Sequence, residues 1–326
     1  MSAATLSLTA FDSTVLPTHA ADCRRLSVAA PSPRQRSPHS YKPPATQAGT
    51  AAAAEGGTPA PLPFGTGEFT PLVLVSNEKT SHDTHVLRYA LPAGTSAALP
   101  VASCVSVRGP APADGTAPDA DRPARPYTPT SKPDDTHLEL VVKRYEAGVV
   151  SKALCDAAPG SAAEFKGPWK KMSWVDNSYA AVGMVAGGTG LTPMLQVLEE
   201  ALERGTARGD ATRFTLLSCH RREADLLLRD RVEALEKAFP DRLRVLHVVE
   251  KADSKDWKGG VGRVDRALLD QWMPPANLEG GSMVCVCGPP PMVAAVAGPK
   301  GEKGSQGEAG GLFAEMGFTS DNIYKF

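Results

Sequence analysis

The chain has 326 residues, a formal net charge of −1 and 42% hydrophobic residues. That length holds two ordinary domains and a tail, and the near-neutral charge leaves no electrostatic footprint for nucleic-acid binding. Six scattered cysteines argue against a disulfide scaffold, and no apolar run reaches bilayer-spanning length.

Residues 1–65 are rich in Ala, Ser, Thr and Pro and carry Arg24, Arg25, Arg34, Arg36 and Lys42, while Asp12 and Asp22 are the only acids before Glu55. Such a segment buries too little apolar surface to offset chain entropy, so it is expected to lack order. A basic, Ser-rich, acid-poor leader reads as an organelle transit peptide, with a mitochondrial destination expected. A plain disordered tail, in a protein of the cytoplasm or another organelle, is the alternative.

Residues 66–168 contain short β-runs at 71–75, 84–90, 101–107, 138–145 and 162–165, separated by Gly, Pro and Asp. No helical periodicity intervenes, which predicts a small antiparallel barrel. The segment 167–177 reads as a hinge into the second domain, 169–326. There the rhythm changes: strands are expected at 180–186, 213–218, 243–249 and 283–287, and helices at 193–203, 224–238 and 264–272. Alternation of this kind predicts a parallel α/β sheet of Rossmann type, with ligands at the carboxyl ends of its strands. Cys285 and Cys287 are expected on opposite faces of the last of these strands, unable to bridge.

Four segments carry the chemistry. In Arg125-Pro126-Tyr127-Thr128, Arg125 and Tyr127 share a face of an extended segment. A guanidinium suits a pyrophosphate, and a phenol ring offers a flat surface to an isoalloxazine. A Pro-rich edge strand with a surface arginine is the alternative. Downstream, Val142, Lys143 and Tyr145 lead into Gly148-Val149-Val150-Ser151, where a tight turn turns successive N–H groups toward a phosphate. An ordinary half-exposed strand also accounts for Lys143 and Tyr145. The run Gly187-Gly188-Thr189-Gly190-Leu191-Thr192-Pro193 opens a helix after a strand, as a dinucleotide loop does, with Thr192 expected as N-cap and Pro193 as the first helical residue. Finally, Cys287-Gly288-Pro289-Pro290-Pro291-Met292 ends a late strand, and Gly288 removes bulk where a ring must lie flat. Glu250, at the end of 243–249, suits adenosine ribose hydroxyls and disfavours a 2′-phosphate, although Arg221 and Arg222 point the other way.

In order and spacing these segments resemble the ferredoxin-reductase superfamily, and within it the NADH-cytochrome b5 reductases, over residues 66–326. The end of the chain, through Tyr324-Lys325-Phe326, is similar to the plant mitochondrial-like branch. The resemblance implies FAD on Arg125, Pro126, Tyr127, Thr128 and the Gly148–Ser151 segment, with Val150 where relatives often carry methionine. It implies NADH on Gly187, Gly188, Thr189, Gly190, Thr192, Pro193, Cys287, Gly288, Pro289 and Met292. Thr128, Thr192 and Cys287 are expected at the flavin–nicotinamide contact. Hydride passes from NADH to FAD, and single electrons then pass to a separate haem protein such as cytochrome b5. No metal is expected: the chain has no iron–sulfur cysteine spacing, no Cys-x-x-Cys-His and no His-Pro-Gly-Gly. A monomer with peripheral membrane association fits this picture. The rival readings are a reductase for a quinone, ferric chelate or oxygenase component, and a flavin-holding assembly protein without turnover.

Overall fold

The computed structural model describes residues 60–110, 122–133 and 135–326. Nearly all of the expected transit segment lies outside the described residues. Phe64, which the sequence leaves in that tail, is buried and stacks on Phe165 with ring centroids 5.9 Å apart.

Six strands form the first sheet: β1 (Thr70–Lys79), β2 (Thr84–Ala90), β3 (Ser103–Arg108), β4 (Arg125–Tyr127), β5 (His137–Lys143) and β6 (Ala162–Lys170). All pairings are antiparallel, in the order β4-β3-β6-β1-β2-β5. Period-two patterning drives them: Leu72 and Leu74 are buried while Val73 and Val75 face outward. β1 pairs with β6 through its first residues and with β2 through the rest, with a register shift between Leu74 and Ser76. That irregularity lets one strand serve both halves of a barrel-like sheet. Inside, Tyr89 meets Phe165 edge to face at 4.8 Å.

One helix interrupts this region, against the all-strand expectation. It is α1 (Val149–Asp156), which buries Val150, Ser151, Leu154 and Cys155 against the barrel. Two turns are too few for a 3.6-residue repeat to emerge from sequence, and its stability comes from that packed face. The β6 strand also runs on to Lys170, into the segment expected to be hinge.

The second sheet is parallel: β7 (Ala181–Gly187), β8 (Arg213–His220), β9 (Leu243–Val249), β10 (Gly260–Val261), β11 (Ser282–Cys287) and β12 (Ile323–Lys325), ordered β10-β9-β8-β7-β11-β12. Helices α2 (Leu191–Glu199), α3 (Arg229–Ala238), α4 (Arg266–Trp272), α5 (Pro290–Ala297) and α6 (Gly311–Glu315) accompany it. Met184, Leu216 and Cys285 pack on one face with α2 and α3, whereas Val185, Leu217 and Val284 pack on the other with α4, α5 and α6. Cys287 packs on the same face as Cys285, which corrects the expectation of opposite faces: residues two apart in a strand share a side. The helix expected at 224–238 starts only at Arg229, because Glu223–Asp225 forms a separate 3-10 turn and Leu228 caps the helix with φ 50°.

The chain leaves β7 toward β8 on one side and later returns as β11 on the other. The crevice between β7 and β11 is therefore the topological switch point, where an open α/β sheet binds its ligand. Val86 and Val141 of the first sheet join the same apolar cluster as Leu195 and Leu227, so the two sheets share a core beside this crevice.

Candidate active site at the switch point

β7 ends at Gly187, and a 3-10 turn, Gly188–Gly190, runs directly into α2. The helix therefore begins at Leu191 with Gly190 as its N-cap, two residues earlier than expected. Thr192 is not the cap: its hydroxyl donates back to the Thr189 carbonyl at 3.1 Å, and Pro193 sits within the first turn. The neighbouring strand β11 ends at Cys287, aligned with Ala186. A Cβ on Gly190 would lie 2.3 Å from the Cys287 carbonyl oxygen, and one on Gly288 would lie 3.0 Å from Gly187 Cα. Met292 and Pro289 lie within 2.9 Å of the place a Gly187 Cβ would take. The two loops thus approach main chain to main chain at Gly190 and Cys287, with the Met292 and Pro289 side chains packed over Gly187. Cys287 is half-buried at its edge, and burial pushes its thiol up to about 11. It is a neutral group at physiological pH, suited to contact rather than nucleophilic attack.

On the barrel, β4 is an edge strand, with Val107 opposite Arg125 and Val105 opposite Tyr127. Arg125 and Pro126 are exposed, and among the described residues the Arg125 guanidinium bonds its neighbour's carbonyl, on Ala124 at 2.9 Å. Tyr127 is half-buried against the barrel core, and burial raises its phenol far above the ordinary value. Thr128 is half-buried, while Thr130 is buried and bonds Glu139 twice, through its N–H to the carbonyl and its hydroxyl to the carboxylate, both at 2.9 Å.

Gly148 caps α1 without a side-chain bond, and the first helical bond is Lys152 N–H to Gly148 O. The N–H groups of the first turn therefore point off the helix end. A Cβ at Gly148 would meet Ser151 Oγ at 2.4 Å and the Tyr145 carbonyl oxygen at 3.2 Å, so the turn is tightly packed. The Ser151 hydroxyl is occupied locally, accepting from Tyr145 N–H at 3.3 Å. Tyr145 and Val149, 55% and 70% exposed, stand beside this turn as uncovered apolar side chains. Val142 and Val150, by contrast, are buried in the barrel core, so only their main chain faces a ligand. Alternation along β5 and the buried face of α1 explain both placements. Lys143 is held by Asp83 at 2.6 Å.

Toward the far side of the parallel sheet, Glu250 follows β9 and its N–H donates to the carbonyl of His220, the last residue of β8. Its carboxylate is half-exposed, 3.5 Å from the Arg263 guanidinium. Arg222 is paired with Asp253 at 2.8 Å. Among the described residues, His82, Asp83 and Asp225 come within 4.8 Å of one another, but the Lys143 ammonium already occupies the Asp83 carboxylate.

Gln196 was not singled out by the sequence. It stands one turn after Thr192 on α2, where its neighbours Leu195, Val197 and Leu198 are all buried. Its Nε2 donates to the Pro129 carbonyl at 2.9 Å, and its Oε1 accepts from the Ser103 N–H at 3.1 Å. A polar residue inside an otherwise apolar helix face was the available signal.

Residues 71–174 match the model of the oxidoreductase FAD-binding domain, and residues 184–298 that of the oxidoreductase NAD-binding domain. NADH-cytochrome b5 reductase 2 of Mycosarcoma maydis is 36% identical over 79% of this chain and 73% of its own length. The chain belongs to the NADH-cytochrome b5 reductase family. The corresponding protein of Botryotinia fuckeliana is 38% identical over 79% of this chain and 72% of its own, and an Arabidopsis thaliana NADH-cytochrome b5 reductase-like protein is 32% identical over 78% and 75%. Among solved structures, the cytochrome b5 reductase domain of Ulva prolifera nitrate reductase superposes with a TM-score of 0.66 at 27% identity, covering 81% of this chain and all of that one. This member of the family is an FAD-dependent NADH oxidoreductase. Its own residues fit the flavin: an exposed Arg125, a tight glycine turn at an open helix end, and uncovered Tyr145 and Val149 beside it. They fit NADH in the close glycine-rich approach of Gly187–Gly190 and Cys287–Gly288.

Proposed function

We propose that this chain carries electrons from NADH through FAD to cytochrome b5 or a similar small haem protein. The observation that carries the reading is the main-chain packing of Gly190 on Cys287 at the switch point, beside a barrel that presents Arg125 and Tyr127. Bound FAD supplies the chemistry, taking a hydride and releasing electrons one at a time. The chain supplies position and charge. Arg125 pairs with the flavin pyrophosphate and Tyr127 lies along the flavin, while the first-turn N–H groups after Gly148 receive phosphate oxygens. Gly187 to Pro193 take the NADH pyrophosphate, and Glu250 takes the adenosine ribose. Thr128, Thr192 and Cys287 border the place where nicotinamide meets flavin.

Purified protein reducing ferricyanide and cytochrome b5 with NADH supports this assignment. Turnover of ferricyanide or a quinone without reduction of cytochrome b5 assigns another acceptor, and flavin binding without turnover assigns a holding role. The composition of the N-terminal segment supports import into mitochondria. A fusion of residues 1–56 to a fluorescent protein tests this, and diffuse cytoplasmic signal overturns it. A monomeric enzyme attached peripherally to a membrane completes the proposal; sedimentation and vesicle binding test the two parts.

A further inference from the structure

We infer that Gln196 sets the register between nicotinamide and flavin, acting as a positioning residue that ties the dinucleotide-binding helix to the flavin clamp. The inference deepens the function proposed above and rests on its placement of Thr128 and Thr192. Thr192 and Gln196 are one turn apart on α2, on the same helix face and about 6 Å along its axis. Pro129 directly follows Thr128. The Gln196 amide donates to the Pro129 carbonyl at 2.9 Å and accepts from Ser103 N–H at 3.1 Å, so one side chain grips two main-chain points on the barrel. A continuous path thus runs from Thr192 along one turn of α2, across the amide, to the residue bonded to Thr128. Movement of α2 along the barrel by a fraction of an ångström breaks both bonds at once.

Other contacts also hold the two sheets together. Arg231 of α3 bridges Glu199 on α2, at 2.5 Å, to Glu139 on β5, at 3.7 Å. Lys132 reaches Glu203 at 2.9 Å, and the Tyr324 hydroxyl donates to the Lys171 carbonyl. Val86 and Val141 add apolar contact. The ion pairs lie on long side chains toward the far end of α2, and the apolar contacts are non-directional. Loss of Gln196 therefore leaves two joined sheets whose reacting rings are misplaced. Misplacement of about 1 Å at a reacting centre costs on the order of a hundredfold in rate.

The test uses the full chain with FAD bound and follows flavin reduction by NADH in stopped flow. Gln196→Leu keeps the size of the side chain and removes both bonds. Gln196→Glu keeps an acceptor for Ser103 and sets a carboxylate against the Pro129 carbonyl. We expect the limiting reduction rate to fall roughly ten- to a hundredfold in Gln196→Leu, and less in Gln196→Glu. The NADH dissociation constant should stay within about threefold of wild type, because ground-state binding is preserved. FAD content and flavin potential should not move, and the deuterium isotope effect on the transferred hydrogen should rise or hold. Wild-type reduction rates in folded Gln196→Leu overturn the inference. So does loss of fold or flavin in both variants, which makes Gln196 a structural residue. If wild-type flavin is itself not reduced by NADH, the functional reading fails instead.

Discussion

The main chain of Gly190 rests on the carbonyl of Cys287, so closely that a Cβ at 190 would stand 2.3 Å from that oxygen. The obstacle is backbone on both sides, a helix N-cap against a strand end, and no side chain can rotate away. Gly190→Ala must push the β7 and β11 loops apart. We expect a cost of about 1–3 kcal/mol in stability, as for other overpacked sites, with reduction by NADH lost before FAD is. A variant with wild-type melting temperature and wild-type flavin reduction removes the tight floor from the mechanism.

Arg125 offers an exposed guanidinium whose contact within the chain is a neighbouring carbonyl. Its charge is thus available to a pyrophosphate. Arg125→Ala should weaken FAD binding by roughly 1.5–3 kcal/mol, the worth of a charge-assisted hydrogen bond. Flavin fluorescence after dialysis measures this, and full retention of FAD would place the pyrophosphate elsewhere.

Glu250 and the paired Arg222 bear on coenzyme choice. Since Asp253 occupies Arg222, the acid at 250 has little competition from that arginine for an adenosine ribose. Wild type should show a higher kcat/KM with NADH than with NADPH, and Glu250→Ala should narrow the ratio without stopping hydride transfer. Equal values for the two coenzymes in wild type contradict the assignment.

Much of this was legible in the sequence, and the failures have physical causes. Period-two runs and strand–helix alternation located both sheets, because each element is patterned by burial. The glycine loops were legible because close main-chain approach demands glycine. Two turns of α1 carry too few residues to show a repeat. Gln196 joins Pro129 and Ser103 across 67 and 93 residues of chain, a pairing that only the folded packing creates. Lys143 read as a free cofactor ligand because its partner Asp83 is remote in sequence. Val142 and Val150 adjoin cofactor-facing residues in sequence, whereas alternation and the helix face turn their side chains inward.

Acid should destabilise the fold through its buried histidines. Burial, with His247 nearby, pushes His220 down to about 4, and burial lowers His247 and His85 as well. Between the ordinary value of 6.5 and about 4 the unfolded chain binds more protons than the folded one, so stability rises with pH there. The contribution is complete above about 6.5 and is lost as pH falls through 4; for His220 alone it is on the order of 3 kcal/mol. Urea unfolding from pH 7.5 to 4.5 should show this slope, and His220→Gln should flatten it. An unchanged slope in that variant would mean His220 titrates normally.

Docking of the acceptor depends on charges that the fold leaves unpaired. From Lys143 to Lys171 the sequence shows a basic excess, but Lys143 is held by Asp83 and Arg144 by Asp156 and Glu146. What remains is exposed Lys152 on α1 and a group near the end of β6: Lys166 over the Phe69 ring, with Lys170 and Lys171 exposed beside Trp169. The Lys171 main chain is also bonded by Tyr324, next to the C-terminal residue Phe326, so the patch is anchored close to the β12 end of the crevice. An acidic haem-edge surface would be steered there, an effect on association rate that is screened over about 8 Å at physiological salt. Lys170→Glu with Lys171→Glu should therefore slow cytochrome b5 reduction at low ionic strength and flatten its salt dependence. Ferricyanide reduction should change little beyond that anion's own response to the altered charge. If cytochrome reduction in the double variant keeps the wild-type rate and salt dependence, the acceptor docks on another face.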